Sequence, residues 1–204
     1  MQRVLVLFAH PGQRYSQTNC ELSRTAAALD GITFVDLYAE YPRFKIDIDK
    51  EQQRLLAHDV IVFQFPIYWY SAPSLLKEWQ DLVLEYGFAY GPGGDKLAGK
   101  TCLLAMTAGA PEDSYREGAT NGFSLRTLLS PLQQTIHFCQ MENLPPYVLF
   151  SSLTASEQGR SEEHARGYQQ LLSALRDERF DMTAAQSIEL LSADNLPLRH
   201  GDDT

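Results

Sequence analysis

The chain has 204 residues, enough for one domain with a sizeable core and too few for two ordinary ones. Hydrophobic residues make up 44% and charged residues 21%, which excludes a wholly disordered chain. The net charge of -9 and the lack of a dense basic stripe exclude an ordinary nucleic-acid binder, although amides at a helix start can still hold an anionic cofactor.

Residues 4–9 are a short apolar, β-branched run closed by His10, Pro11 and Gly12, which suits a central strand buried on both faces. Residues 16–29 read as a helix with Leu22, Ala26 and Leu29 on one side, and 33–37 as a second strand. An aromatic segment, 38–44, leads to a short helix entered at Asp49, with Gln52 completing a capping box. Residues 60–65 form the strongest buried strand. Leu75, Leu76, Trp79, Leu82 and Val83 then recur at helical spacing over 71–85, behind Pro73. A fourth strand is expected over 101–107, a helix interrupted near Pro131 over 123–138, and a last strand over 147–150. Thr154 and Glu157 read as the opening of a long terminal helix through Leu171, Leu172 and Leu175.

Five buried strands alternating with helices predict an α/β fold with a central, mostly parallel five-stranded sheet covered on both faces. Such a sheet binds ligands beyond the carboxyl ends of its strands. From Asp177 onward acids dominate, so residues 1–180 are read as the domain and 181–204 as an acidic C-terminal appendage or tail. The three cysteines form no CxxC pair and are expected to be reduced and inert. No apolar segment approaches the roughly 20 residues that span a bilayer, and the first residues read as a strand rather than a secretory signal. The cytoplasm is therefore the expected location, with attachment to a membrane through a protein partner left open.

Three loops carry the candidate site. In the first, Ser16, Thr18 and Asn19 set hydroxyl and amide groups beside the free amides of a helix start, a cradle for phosphate. It has neither the GxGxxG nor the GxxxxGK pattern and fits a monophosphate better than a pyrophosphate. His10 either donates to that phosphate or satisfies a backbone carbonyl in the turn. The second loop is Pro66, Ile67, Tyr68, Trp69 and Tyr70. Successive side chains diverge, so at least one ring is expected to line a cleft, with helix packing or a subunit contact the alternative for each. In the third, Thr107 and Gly109, with Tyr115 beyond, either approach the other side of a flat ring or simply turn the chain. Phe88 and Tyr90, in a glycine-rich segment, either cover a planar substrate or pack in the core or a dimer contact. The scattered histidines offer no metal site, and Ser71 lacks a nucleophile elbow.

The runs VLVLFAHP (4–11), DLYAEYPRFKIDIDKEQ (36–52), VIVFQFPIYWYSAPSLLKEWQDLVLEYGFAYGPGG (60–94) and LAGK (97–100) carry a family likeness. Over about residues 3–180 the chain resembles the flavodoxin-like NAD(P)H:quinone oxidoreductases. More narrowly, it resembles the ancillary subunits of bacterial glutathione-regulated potassium-efflux antiporters. The resemblance implies a flavodoxin-like three-layer sandwich, a bound flavin that takes hydride from NADH or NADPH and reduces a quinone or related electrophile, and a homodimer. It implies that His10, Ser16 and Asn19 lie near the flavin phosphate or ribityl chain. Pro66, Ile67, Tyr68, Trp69 and Tyr70 would lie on one side of the isoalloxazine and Thr107, Gly109 and Tyr115 on another, Tyr115 being the one catalytic candidate. FMN is preferred to FAD, since the cradle is compact and no adenine-recognition sequence is apparent, and FAD stays open. Two departures point away from strong turnover. Ala110 follows Gly109 where active reductases commonly have a second glycine, and no histidine occurs in 116–134. Two readings result: a flavin-dependent quinone reductase associated with potassium-efflux regulation, or a weakly active or non-enzymatic subunit of a potassium/proton antiporter, peripheral on the cytoplasmic face of the inner membrane.

Overall fold

Continuous apolar runs become strands here because a strand inside a parallel sheet buries both of its faces. β1 (Val4–Phe8), β3 (Val60–Pro66) and β4 (Thr101–Thr107) are buried at every position, whereas β2 (Ile32–Asp36) is only partly covered at the sheet edge. In this computed structural model, which describes residues 1–12 and 16–199, the strands pair in parallel in the order β2-β1-β3-β4. The fifth position, beside β4, is shared by two short strands, β5 (Glu142–Asn143) and β6 (Tyr147–Leu149). Pro145 and Pro146 between them have no N–H to give the ladder, so the fifth strand is broken there. The architecture is the expected α/β sandwich around a mostly parallel five-stranded sheet.

The connections are α1 (Gln17–Ala27), α2 (Leu37–Glu40), α3 (Ile48–Ala57), α4 (Ser74–Val83), α5 (Leu125–Leu128), α6 (Ser130–Phe138) and α7 (Arg160–Arg176), followed by the single turn α8 (Met182–Ala185). Side-chain alternation sorts the core into two layers. Leu5, Leu7, Ile61, Phe63, Phe65 and Leu104 pack with Leu55 of α3, Leu75, Leu76 and Trp79 of α4 and Ile136 of α6. Val4, Val6, Val60, Val62 and Leu103 pack on the other face with Leu22 of α1 and Tyr168, Leu171 and Leu172 of α7. A polar knot fixes the first layer. Fully buried Glu51 accepts from the Trp79 indole at 2.9 Å and the Tyr41 hydroxyl at 2.6 Å and pairs with Arg54, joining α3 to α4 through a satisfied carboxylate.

Three boundaries differ from those expected. Asp47, not Asp49, caps α3: its extended backbone lets the carboxylate accept from Lys50 N at 3.1 Å, while Gln52 donates to Val83 O and Glu85. Ser71 closes a turn with Tyr68 rather than opening α4, which starts at Ser74 after Pro73. The terminal helix begins at Arg160, after Gly159 at φ 71°, and not at Thr154, whose hydroxyl bonds to Ser151 O.

The acidic composition beyond 180 hides an apolar face. Phe180, Ala185 and Leu191 are buried on the second core layer, and Leu191 brackets β6 by donating to Pro146 O at 2.8 Å and accepting from Val148 N at 3.1 Å. Residues 181–199 are thus an appendage that covers a sheet edge, not a free tail. Gly167 makes the approach possible, since a Cβ there would sit 2.6 Å from the Tyr147 hydroxyl oxygen and 2.7 Å from Ala193 Cα. Residues 200–204 of the predicted appendage lie outside the described residues.

Candidate functional site

The carboxyl ends of β1, β3 and β4 open into a cleft of about 560 Å³, lined by His10, Ser16, Thr18, Asn19, Pro66, Ile67, Tyr68, Thr107 and Gly109 among others. Parallel strands bring these loops to one end, so three stretches far apart in sequence share one wall. At its base, Asn19 bridges two of them: Nδ2 donates to Ser16 Oγ and to Thr107 Oγ1, each at 3.0 Å. Asn19 is 3% exposed, and its Oδ1 is buried with no hydrogen-bond partner among the described residues. Thr18 is held from behind by Ser161 of α7, oxygen to oxygen 2.6 Å.

Ser16 caps α1 by accepting from Asn19 N at 3.3 Å, and the first turn of α1 contains no acidic residue. The amides at that end point out of the helix, with the positive end of its dipole behind them. His10 lies beside this turn and is 5% exposed. Its Nδ1 accepts from Gly12 N at 3.1 Å, so the ring proton of the neutral imidazole sits on Nε2. Burial lowers the His10 pKa, which keeps the ring neutral at physiological pH with one N–H to donate. Of the two readings of His10, the turn contact thus takes a different form, an amide donating to the ring and not the ring donating to a carbonyl. Residues 13–15 of this loop lie outside the described residues.

The β3 loop is tied to β4 at its root, where Ile67 N donates to Thr107 O at 2.9 Å. Tyr68 and Ser71 then exchange two backbone hydrogen bonds of 3.0 Å around Trp69 and Tyr70, both left-handed at φ 47° and 64°. Bulky residues occupy that region at a cost of about 1–2 kcal/mol each. The turn throws Trp69 into solvent at 93% exposure. Trp69, Tyr70 and Tyr115 therefore do not line the cleft. Burial, and next the nearby Tyr70, raises the Tyr115 pKa, so its hydroxyl stays protonated and can donate a hydrogen bond. The chain bends at Gly109, but the residue is not left-handed and a Cβ added to it would meet only Leu153 at 3.9 Å, so what the glycine adds is open cleft space.

The far wall, Ser152, Leu153, Ser156 and Glu157, has no counterpart in the sequence reading. Ser156 and Glu157 sit in the irregular run before α7 that the sequence pattern assigns to helix, and Ser152 and Leu153 lie just ahead of it. Arg160 braces that run by donating to Phe150 O at 2.9 Å and Ser151 O at 3.2 Å. Phe88 and Tyr90 fall elsewhere. Phe88 packs on the first core layer, and Tyr90 lines a separate depression of about 420 Å³ beside Phe138. Within one chain they cannot cover the cleft, because segment 86–94 closes on itself through Gly87 N to Tyr90 O at 2.8 Å.

A flavin mononucleotide fits what is present. The acid-free start of α1 with Ser16 and the His10 Nε2–H suits a phosphate, the orphaned Asn19 Oδ1 suits a ribityl hydroxyl, and the open face of Gly109 leaves room for a planar ring. Glu157 is the one acidic residue on the wall.

Known proteins are similar to this chain in sequence and in fold. The flavodoxin-like fold family matches residues 2–172. The glutathione-regulated potassium-efflux system ancillary protein KefG of Enterobacter sp. strain 638 is 42% identical over 172 residues, covering 84% of this chain and 93% of that protein. Its counterpart in Escherichia coli K12 / DH10B is 45% identical over 166 residues, covering 81% and 90%. Among solved structures, general stress protein 14 of Treponema denticola in complex with FMN aligns with a TM-score of 0.79 at 38% identity, covering 85% of this chain and 99% of that one. A chain described as a thermophilic tryptophan halogenase aligns at 0.76 with 46% identity, covering 80% and 96%. An NADPH-quinone reductase of P. pentosaceus aligns at 0.71 with 28% identity, covering 84% and 97%. Such different activities on one fold mean that function has to be argued from the site. The chain belongs to the flavodoxin-like fold family.

Proposed function

We propose that this protein is a flavin-binding ancillary subunit of a glutathione-regulated potassium-efflux system. The observation that carries the proposal is the likeness to KefG at 42% identity along 93% of that protein's length, joined to a cleft with the donors and space for FMN. The sequence reading placed the reductase first, and the relatives move the ancillary role ahead of it. Among the described residues no helix is long and apolar enough to cross a membrane, so an association with the inner membrane would be peripheral and made through the antiporter at its cytoplasmic face.

Ser16 and the first amides of α1 would hold the phosphate, with His10 donating from Nε2, and Asn19 would accept from the ribityl chain. Pro66, Ile67 and Tyr68 would flank the ring on one side and Thr107 and Gly109 on the other. Bound flavin supplies hydride and electron transfer between a nicotinamide and an acceptor. The protein's part is to bind it, orient it and keep one edge accessible. Tyr115, protonated and a donor, lies outside the cleft lining and would meet an acceptor oxygen only at the mouth of the cleft.

A second reading, NAD(P)H:quinone reductase activity in a homodimer, draws on the quinone-reductase neighbour and on the openness of the same cleft. Ala110 in place of a second glycine argues for slow turnover. Cells that carry the antiporter but lack their own ancillary subunit separate the two. The ancillary role predicts that this chain restores potassium efflux, and that a Tyr115→Phe variant with reduced quinone turnover restores it equally. Failure of the wild-type chain to restore efflux, alongside rapid quinone reduction in vitro, would favour the enzyme.

A further inference from the structure

Resting on the flavin reading above, we propose that Asn121 is a positioning residue that sets the gap between the two loops flanking the ring. The β3 and β4 loops leave adjacent parallel strands and are joined at the root by Ile67 N to Thr107 O. Beyond that point they separate. The β3 loop folds into the left-handed Trp69–Tyr70 turn, and the β4 loop runs through the 3-10 turn Glu112–Ser114.

A chain of hydrogen bonds closes the outer span. The Tyr70 hydroxyl donates to Asn121 Oδ1 at 3.2 Å. Asn121 Nδ2 donates to Ser114 Oγ at 2.8 Å, and its backbone N–H donates to Ser114 O at 3.1 Å. Ser114 in turn donates from Oγ to Pro111 O at 2.6 Å, close to where the loop leaves Gly109. One planar amide thus gives an acceptor to the β3 loop and a donor to the β4 loop, a pairing that neither a carboxylate nor an alkyl group supplies. The same contact restrains Tyr70 in a backbone conformation that side chains rarely adopt. Tyr115 follows Ser114 directly, and its ring packs on Phe150 at 5.5 Å, so the clamp also fixes where that hydroxyl sits.

The test uses Asn121→Ala and Tyr70→Phe, singly and together, with FMN as the probe. Tyr70→Phe is expected to weaken FMN binding by about fivefold, the loss of one hydrogen bond, and Asn121→Ala, which loses two, by at least as much, both changing the visible absorption and residual fluorescence of the bound flavin in the same direction. The double variant should be no worse than Asn121→Ala alone, since the one bond Tyr70→Phe removes is already broken there. Asn121→Asp keeps the acceptor for Tyr70 but loses the donor to Ser114 Oγ, so it is expected to change the spectrum as Asn121→Ala does, which a merely space-filling role would not require. A wild-type spectrum in the single variants, or additive losses, would overturn the inference. Tyr70→Phe keeps its ring and carries the test alone if Asn121→Ala does not fold. A wild-type chain that takes up no FMN contradicts the flavin reading instead. The clamp is then read in the apo chain, where both variants should raise hydrogen exchange in segments 66–72 and 111–121, and unchanged exchange would overturn it.

Discussion

Asn19 concentrates the chemistry of the cleft in one side chain. Its amide hydrogens go to Ser16 and Thr107, and its buried oxygen has no partner among the described residues. Asn19→Ala is expected to lower FMN affinity by about tenfold, through loss of the orphan acceptor and of the two bonds that hold the wall. Equilibrium titration measures this, and unchanged affinity would place the ligand elsewhere. Gly109→Leu is expected to abolish binding while leaving the melting temperature near wild type, because its side chain would enter open space toward Leu153 and not the core. His164 makes a separate, structural prediction. Burial, and next Arg160, pushes its pKa down to about 3 from 6.5, and its ring stacks on Tyr147 at 4.1 Å. The unfolded chain takes up a proton there as pH falls through about 6.5 and the folded chain does not, so this stability is present above that pH and declines as pH falls toward 3. His10, also lowered by burial, adds a slope of the same sign. His164→Phe, which keeps a ring against Tyr147, should flatten the loss of stability between about pH 7 and about pH 5 in urea unfolding. An undiminished slope would contradict the assignment.

At the scale of elements, sequence pattern succeeded where one physical effect dominated and failed where two competed. The strands 60–65 and 101–107 were legible because only a doubly buried strand accommodates such continuous apolar runs. The cap of α3 was misread because Asp47 and Asp49 both offer a carboxylate, and only the extended backbone at Asp47 selects between them. Ser152, Leu153, Ser156 and Glu157 were missed because Thr154 and Glu157 imitate a capping box, while the left-handed Gly159 delays the helix to Arg160. Glu51 shows what pattern reading cannot see at all. Its three donors come from Tyr41, Arg54 and Trp79, so its role exists only after α3 and α4 have packed. Glu51→Ala, which strands those donors, is expected to cost about 3–5 kcal/mol in chemical denaturation. Glu51→Gln, which keeps the shape and one acceptor, should cost less, and equal losses would argue against the knot.

For the whole molecule, the order β2-β1-β3-β4-β5 decides the location of function, because it gathers the first, second and third site loops at one end of the sheet. That His10, Ser16, Asn19 and Thr107 share one cleft was readable from strand–loop–helix order, whereas the aromatic positions were only half readable. The left-handed turn that exposes Trp69 is a conformation no propensity would assign to Trp and Tyr. Sequence left appendage and tail both open because acids outnumber bases there, and what it could not show is that Phe180 and Leu191 are what the sheet edge receives. Ending the chain after Arg176 should therefore lower the melting temperature and promote association through the uncovered β6 edge. A truncated chain that melts like the full one and stays monodisperse would contradict that role.

Titration of the purified apo chain with FMN, followed by flavin fluorescence and by the cofactor retained after gel filtration, tests the central claim most directly. The account predicts saturable, equimolar binding that Gly109→Leu removes without unfolding the chain. No binding of FMN at any concentration, by a chain shown to be folded, would contradict it.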